Sequence, residues 1–256
     1  MRRLALIACL LTTAGAPPPA QRNFVVCPMI RDTEPVPCWL AEYGGELYYL
    51  GVQGDISEAF HPPQLRHRAL VEGTVRDGSR VCGGIVLKPV VVSALPEIDE
   101  TCVKVLPAEG IRITDFPRGP GPANRGRQLA TGPEVPRSVP ATPQPPYGVK
   151  TWDVRFGFSG LYINVHQFRG VLDAVAYAKA SGGKITVGGW RGASLLSNGE
   201  TLAEPIGLAQ ARTDKVAQAL TELGAAPVAV VAYTELETPD GVTDPERRRG
   251  RITVRP

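Results

Sequence analysis

KITVGGW (Lys184–Trp190), RGASLLSNGETLAEPI (191–206), GLAQARTDKVAQALTELG (207–224) and PVAVVAY (227–233) follow one another along the chain, and their reading decides the fold. The first and last are apolar runs of strand length. The third sets Leu208, Ala211, Arg212, Val216, Ala219, Leu220 and Leu223 on one broad helical face, and Gly224 marks its stop. Strand, polar excursion, helix and strand make a βαβ unit. Arg212 lies beside the apolar face of the helix, near the loop that leaves the first strand, where such a unit holds a small anionic ligand.

Working outward, VRFGF (154–158) reads as a strand and 165–180 as a helix. Val165, Phe168, Val171, Leu172 and Val175 recur at helical spacing, Asn164 with Gln167 forms a capping pair, and Gly182-Gly183 ends the helix. RITVR (251–255) adds a last strand. The resulting βαβαββ order predicts an α/β sandwich over 151–256, with both helices on one face of a mixed sheet. The run Arg247-Arg248-Arg249 with Arg251 reads as the solvated end of the terminal strand, a phosphate site being the alternative.

The amino terminus sets the compartment. Met1-Arg2-Arg3 followed by LALIACLLTTAGA has the form of an export signal over 1–20, too short for a transmembrane helix. Cleavage after Ala14, Ala16 or Ala20 fits; Leu6-Ile7-Ala8-Cys9 also resembles a lipoprotein processing box that would acylate Cys9. After ordinary cleavage Cys27, Cys38, Cys82 and Cys102 remain, an even set in an oxidising compartment. No pair has the Cys-x-x-Cys spacing of a zinc site, so two disulfides are expected and no metal. Three pairings are open; local closure favours Cys27 with Cys38 and Cys82 with Cys102.

Between 23 and 106, short apolar segments alternate with turn signals: FVVC, CWLAEY, ELYYLGVQ, ALVEGTV, RVCGGIVLKPVVV and CVKVL. They predict a small antiparallel β domain, a barrel or sandwich, with a hairpin turn at Asp77-Gly78. The segment is too short for a membrane barrel of eight strands. His61 and His67, with Asp55 and Glu58 nearby, suggest a metal or acid-base site, but Pro62-Pro63 keeps the imidazoles off a common helical face. Trp39, Tyr43, Tyr48 and Tyr49 read as cross-strand packing or as a sugar-stacking platform. From 107 to 150 prolines recur among Gly, Arg and Thr, the composition of an extended linker; IRITDF (111–116) could first add a strand.

The C-terminal segment resembles the OmpA-like C-terminal domain, the peptidoglycan-associating module of Gram-negative envelopes. The matching residues are Ile185-Thr186-Val187-Gly188-Gly189-Trp190, Leu208-Ala209-Gln210-Ala211-Arg212, then Val216, Leu220, Gly224 and Arg251-Ile252-Thr253-Val254. The resemblance implies that an aspartate ending the strand-loop motif and the helical arginine grip the diaminopimelate of a stem peptide. Arg212 fills the arginine position, whereas the aspartate position falls on Gly192, with Trp190 and Arg191 replacing a His-Thr pair. The helix-leading asparagine of the family falls on Pro205 and the first arginine of its last strand on Gly250. Glu200 and Glu204 are the loop carboxylates left to supply the anion. Arg212 has a second reading, in which it pairs with a loop carboxylate or loop carbonyls and holds no ligand.

A net charge of +3, scattered along the chain, gives no nucleic-acid footprint. No nucleophile-base pairing or phosphate-cradling loop suggests an enzyme or a cofactor. The expectation is a non-enzymatic protein of the periplasm or the periplasmic face of the outer membrane. It associates with peptidoglycan, by its stem peptide, weakly or through an altered site, or it has lost wall binding and serves as a scaffold for another envelope protein.

Overall fold

The computed structural model of the protein describes residues 20–34, 36–52, 64–112, 142–226 and 228–256. The export signal up to residue 19, Cys9, Asp55, Glu58, His61 and the proline-rich span 113–141 lie outside the described residues. The fold is mixed α+β, mostly sheet with few helices. No helix among the described residues is long and apolar enough to cross a membrane.

The N-terminal lobe is built from β1 (Ala20–Val26), β2 (Met29–Arg31), β3 (Cys38–Tyr43), β4 (Glu46–Val52), β5 (His67–Val81), β6 (Gly84–Ile98) and β7 (Val105–Leu106). They form one sheet in the order β1-β5-β6-β4-β3-β2-β7. The expected all-antiparallel arrangement is corrected here, because β4 pairs with β6, and β2 with β7, in parallel. The sheet curls, so that Phe24 on β1 stacks against Tyr43 on β3, centroids 4.5 Å apart, although three strands separate them in the sheet. Trp39 and Tyr48 are buried in the same core as Phe24, Leu50 and Val71, so these aromatic residues serve packing. Period-two alternation sends Cys38 and Leu40 to a second apolar cluster on the opposite face of β3.

The hairpin turn is displaced from its expected place. Asp77-Gly78 falls inside β5, where the register shifts between Val75 and Arg80, and the chain reverses at Cys82-Gly83. Both turn residues have positive φ, 51° and 82°, the backbone that a two-residue hairpin loop requires. RVCGGIVLKPVVV is therefore the end of one strand and the start of the next.

The disulfides join Cys27 to Cys102 and Cys38 to Cys82, which overturns the local pairing. Register explains the difference. Cys38 lies opposite Arg31, so Cys27 is four residues further along the strand direction, roughly 13 Å at the rise of an extended chain. Cys82 and Cys102 flank the two ends of the 15-residue β6, tens of ångströms apart. Two disulfides are the mark of an oxidising, extracytoplasmic compartment.

The C-terminal lobe runs β8 (Lys150–Arg155), α1 (Val165–Ser181), β9 (Lys184–Trp190), β10 (Ala193–Leu195), β11 (Thr201–Ala203), α2 (Leu208–Glu222), β12 (Ala229–Tyr233), α3 (Asp244–Arg247) and β13 (Arg249–Arg255). Its main sheet has the order β12-β9-β13-β8, and β10 with β11 makes a separate hairpin from the polar excursion. The side chain of Asn164 accepts from Gln167 N at the start of α1, and Gly182 closes its end with φ 68°. The buried face of α1 is Val171, Ala174, Val175, Tyr177 and Ala178; Val165 and Leu172, expected inside, are exposed. In α2 the face is Ala209, Arg212, Thr213, Val216 and Leu220. Both helices share one core with Val154, Ile185, Val187, Ile252 and Val254, and so cover a single face of the sheet. Gly189 allows that approach, since a Cβ there would lie 2.0 Å from Thr213 Oγ1 and 2.3 Å from Ala209 O.

Candidate functional site

Four chain segments converge on the start of α2: the end of β9, the β11 exit, the loop after β8, and α2 itself. Their backbones bring carbonyls and amides together away from solvent, and such groups must be satisfied when buried. Arg212 and Glu204, both without solvent exposure, satisfy them. Arg212 Nη1 and Nη2 donate to Glu204 Oε2 and Oε1 at 2.7 and 2.6 Å. Nη1 also donates to Trp190 O (2.9 Å), Nη2 to Gly157 O (3.0 Å) and Nε to Gly160 O (3.4 Å). All five N–H donors of the guanidinium are thereby used. Glu204 accepts in addition from Ser159 N at 2.8 Å and Gly192 N at 2.6 Å, two bonds on each oxygen. The Phe156 ring lies 5.2 Å from the guanidinium carbon.

The other residues of the expected site separate around this centre. Trp190 contributes only its carbonyl; its ring lies on the opposite face of the sheet, stacked on Tyr233 at 4.4 Å, with Arg249 and Arg251 over it. Arg191 donates to Thr234 O and Glu204 O, both at 2.6 Å, and fastens the loop. Glu200 is exposed in the β10-β11 turn and accepts from Asn198. Gly192 contributes an amide and an absence of side chain: a Cβ there would lie 2.7 Å from Arg248 Cγ. An aspartate at this position would displace Arg248.

Arg248 forms a second buried centre, one that joins the lobes. It is fully buried, which corrects the reading of the basic run as a solvated strand end. Its Nη1 donates to Glu72 Oε1 at 3.1 Å and Ser194 Oγ at 2.9 Å, and Nη2 donates to Glu72 Oε2. Ser194 Oγ donates to Glu72 Oε1 at 2.7 Å. Glu72 belongs to β5 of the N-terminal lobe, where it shares with Leu70 the buried face opposite Ala69 and Val71. Around it, Asn23 Nδ2 donates to Leu195 O (2.9 Å) and Gly241 O (2.7 Å), and Phe158 N donates to Ser93 Oγ (2.8 Å). Ser93 therefore holds the same loop whose carbonyl at Gly157 caps Arg212.

Neither Glu72, Asn23, Ser93 nor Ser194 was picked out by sequence reasoning. A glutamate inside the apolar run ALVEGTV was the one usable signal, since a charge in a strand buried on both faces requires a partner. The remaining arginines of the basic run are also paired: Arg247 with Asp240, Arg249 with Glu237, and Arg251 with Asp153 across β13 and β8 through two bonds of 2.6 and 2.8 Å. The Thr243 hydroxyl, with the Thr243 and Val242 amides and Arg247, holds the Asp240 carboxyl well below the usual carboxylate range. Arg251 lowers Asp153 in the same sense.

Among the described residues the grouping Cys27, Asp99 and Cys102 has the composition of a metal site, but both sulfurs are consumed by the disulfide. No family model and no curated protein matches the chain.

Proposed function

We propose that this is a non-enzymatic protein of the cell envelope whose C-terminal lobe is a divergent OmpA-like domain that has lost peptidoglycan binding and serves as a periplasmic interaction scaffold. The observed βαβαββ order and an arginine in the first turns of α2 support the family reading. The observation that carries the loss of binding is the saturation of Arg212: five donors, five acceptors, and no exposed surface. A stem-peptide carboxylate would have to displace Glu204, which itself accepts two backbone amides. Breaking such a buried pair costs about 3–5 kcal/mol, more than a single charge-assisted hydrogen bond to a ligand returns, about 1.5–3 kcal/mol. An interaction role also needs open apolar surface, and the uncovered face of the four-stranded sheet presents Val231 and Tyr233, 43% and 45% exposed.

Sedimentation with purified sacculi tests the reading. The mature chain stays in the supernatant, and so does an Arg212→Lys variant. Cosedimentation of the wild type that the substitution abolishes would restore wall recognition through this site, and turnover of a wall fragment would overturn the non-enzymatic role.

A further inference from the structure

Where the lobes meet, a cleft of about 230 Å³ opens beside the two buried centres. One wall is β6 of the N-terminal lobe, with Pro89, Val91 and Val92; the other is Phe156, Val242 and Pro245 of the C-terminal lobe. Val92 and Phe156 are buried core residues, whereas Val242 at the mouth is 66% exposed. The cleft is therefore a mostly apolar recess with a buried floor, with Tyr162, Asn164 and Gln167 also in its lining, located where ligand sites concentrate, between two packed units. An apolar cavity of about 150 Å³ accepts a benzene ring, so this recess has room for one aromatic or branched aliphatic side chain and little more.

Two opposite charges stand at its rim. Arg155 Nη2 and Glu246 Oε1 are 3.8 Å apart, beyond hydrogen-bonding distance, and their side chains are 56% and 61% exposed. The backbone of Arg155 is fixed by a 2.9 Å bond from its N–H to Gln167 Oε1, and Gln167 in turn is held in the capped first turn of α1. A cation and an anion so placed, side by side above an apolar recess, complement a carboxylate and an ammonium carried on one α-carbon with an apolar substituent. A lone carboxylate or a lone amine would meet one like charge.

We propose that the interlobe cleft binds a free α-amino acid with an apolar side chain, its carboxylate on Arg155, its ammonium on Glu246 and its side chain between Val91 and Phe156. Because the walls belong to different lobes, the bound amino acid also holds the lobes together. This role goes beyond the scaffold proposed above and stands whether or not that scaffold role holds.

Titration calorimetry of the mature chain with L-phenylalanine, and with L-leucine as the aliphatic counterpart, tests it. Saturable one-site binding of at least one of them is expected. Phenethylamine, which lacks the carboxylate, and 3-phenylpropionate, which lacks the ammonium, each bind about tenfold weaker or less, since each forfeits a charge-assisted bond. Arg155→Gln and Glu246→Gln each weaken binding of the amino acid about tenfold and leave the melting curve of the free protein in place, as both residues are exposed. Binding of neither amino acid, equal binding of a single-charge analogue, or undiminished binding by both variants would overturn the proposal.

Discussion

Among the described residues two arginine/glutamate pairs are buried, and they do different work. Arg212 and Glu204 are eight residues apart in one lobe, and the pair accounts for five backbone groups besides itself: three carbonyls and two amides. Arg248 and Glu72 are 176 residues apart and bridge two lobes. Beyond each other their side chains hydrogen-bond Ser194 alone, the Phe158 ring lies 5.7 Å from the Arg248 guanidinium carbon, and Arg248 Nε has no hydrogen-bond partner. The first pair is a hub that fixes local backbone. The second is a clasp between surfaces. Burial and charge type are the same in both, so the hydrogen-bond surroundings, more than the ion pair, determine what each does.

The comparison is broken most severely at the hub. Arg212→Ala leaves the buried Glu204 carboxylate without its counter-charge and takes a donor from three carbonyls, of which Gly157 O keeps the Gly160 amide; chemical denaturation should show a loss of about 4–5 kcal/mol. A loss below about 1 kcal/mol would mean the carbonyls find other partners. Glu72→Ala leaves Arg248 buried without a counter-charge; a loss of about 3 kcal/mol is expected, with hydrogen exchange accelerating at the Leu195 and Phe158 amides before it does in β9. Uniform acceleration across the C-terminal lobe would make Arg248 part of the hub and not a clasp. Asn23→Ala removes two neutral hydrogen bonds across the same interface, to Leu195 O and Gly241 O, for about 1–2 kcal/mol.

The smallest effect is on acidity. Asp240 and Asp153 have carboxyls lowered by the fold, so the stability they contribute is complete above the ordinary aspartate range, near pH 4. It fades as pH falls below that range towards their folded values. Asp240 is exposed, so its share is about 1 kcal/mol or less. Melting curves from neutral pH down to about pH 2 should show a shallower acid limb in Asp240→Asn than in wild type, and identical limbs would contradict this.

Legibility in the sequence followed the range of the interactions. Helical periodicity, the Asn164 cap and the Gly182 stop are local, and they located α1 and α2 within a residue or two. Cysteine pairing and the β5-β6 turn depend on strand register, which is set by contacts many residues away, and both came out differently from the local reading. Glu204 was visible as one of two loop carboxylates, but only the folded loop distinguishes it from Glu200. The interlobe clasp was least visible, because Arg248 sits within a basic run that looks solvated and Glu72 within an apolar strand. Nothing short of the folded chain brings them together.

The Arg212 guanidinium is already fully occupied. Titration of the mature chain with a diaminopimelate-containing stem peptide tests it most directly. No saturable binding dependent on this residue is expected; saturable binding that Arg212→Lys abolishes, in a variant that still folds, would show Arg212 open to ligand.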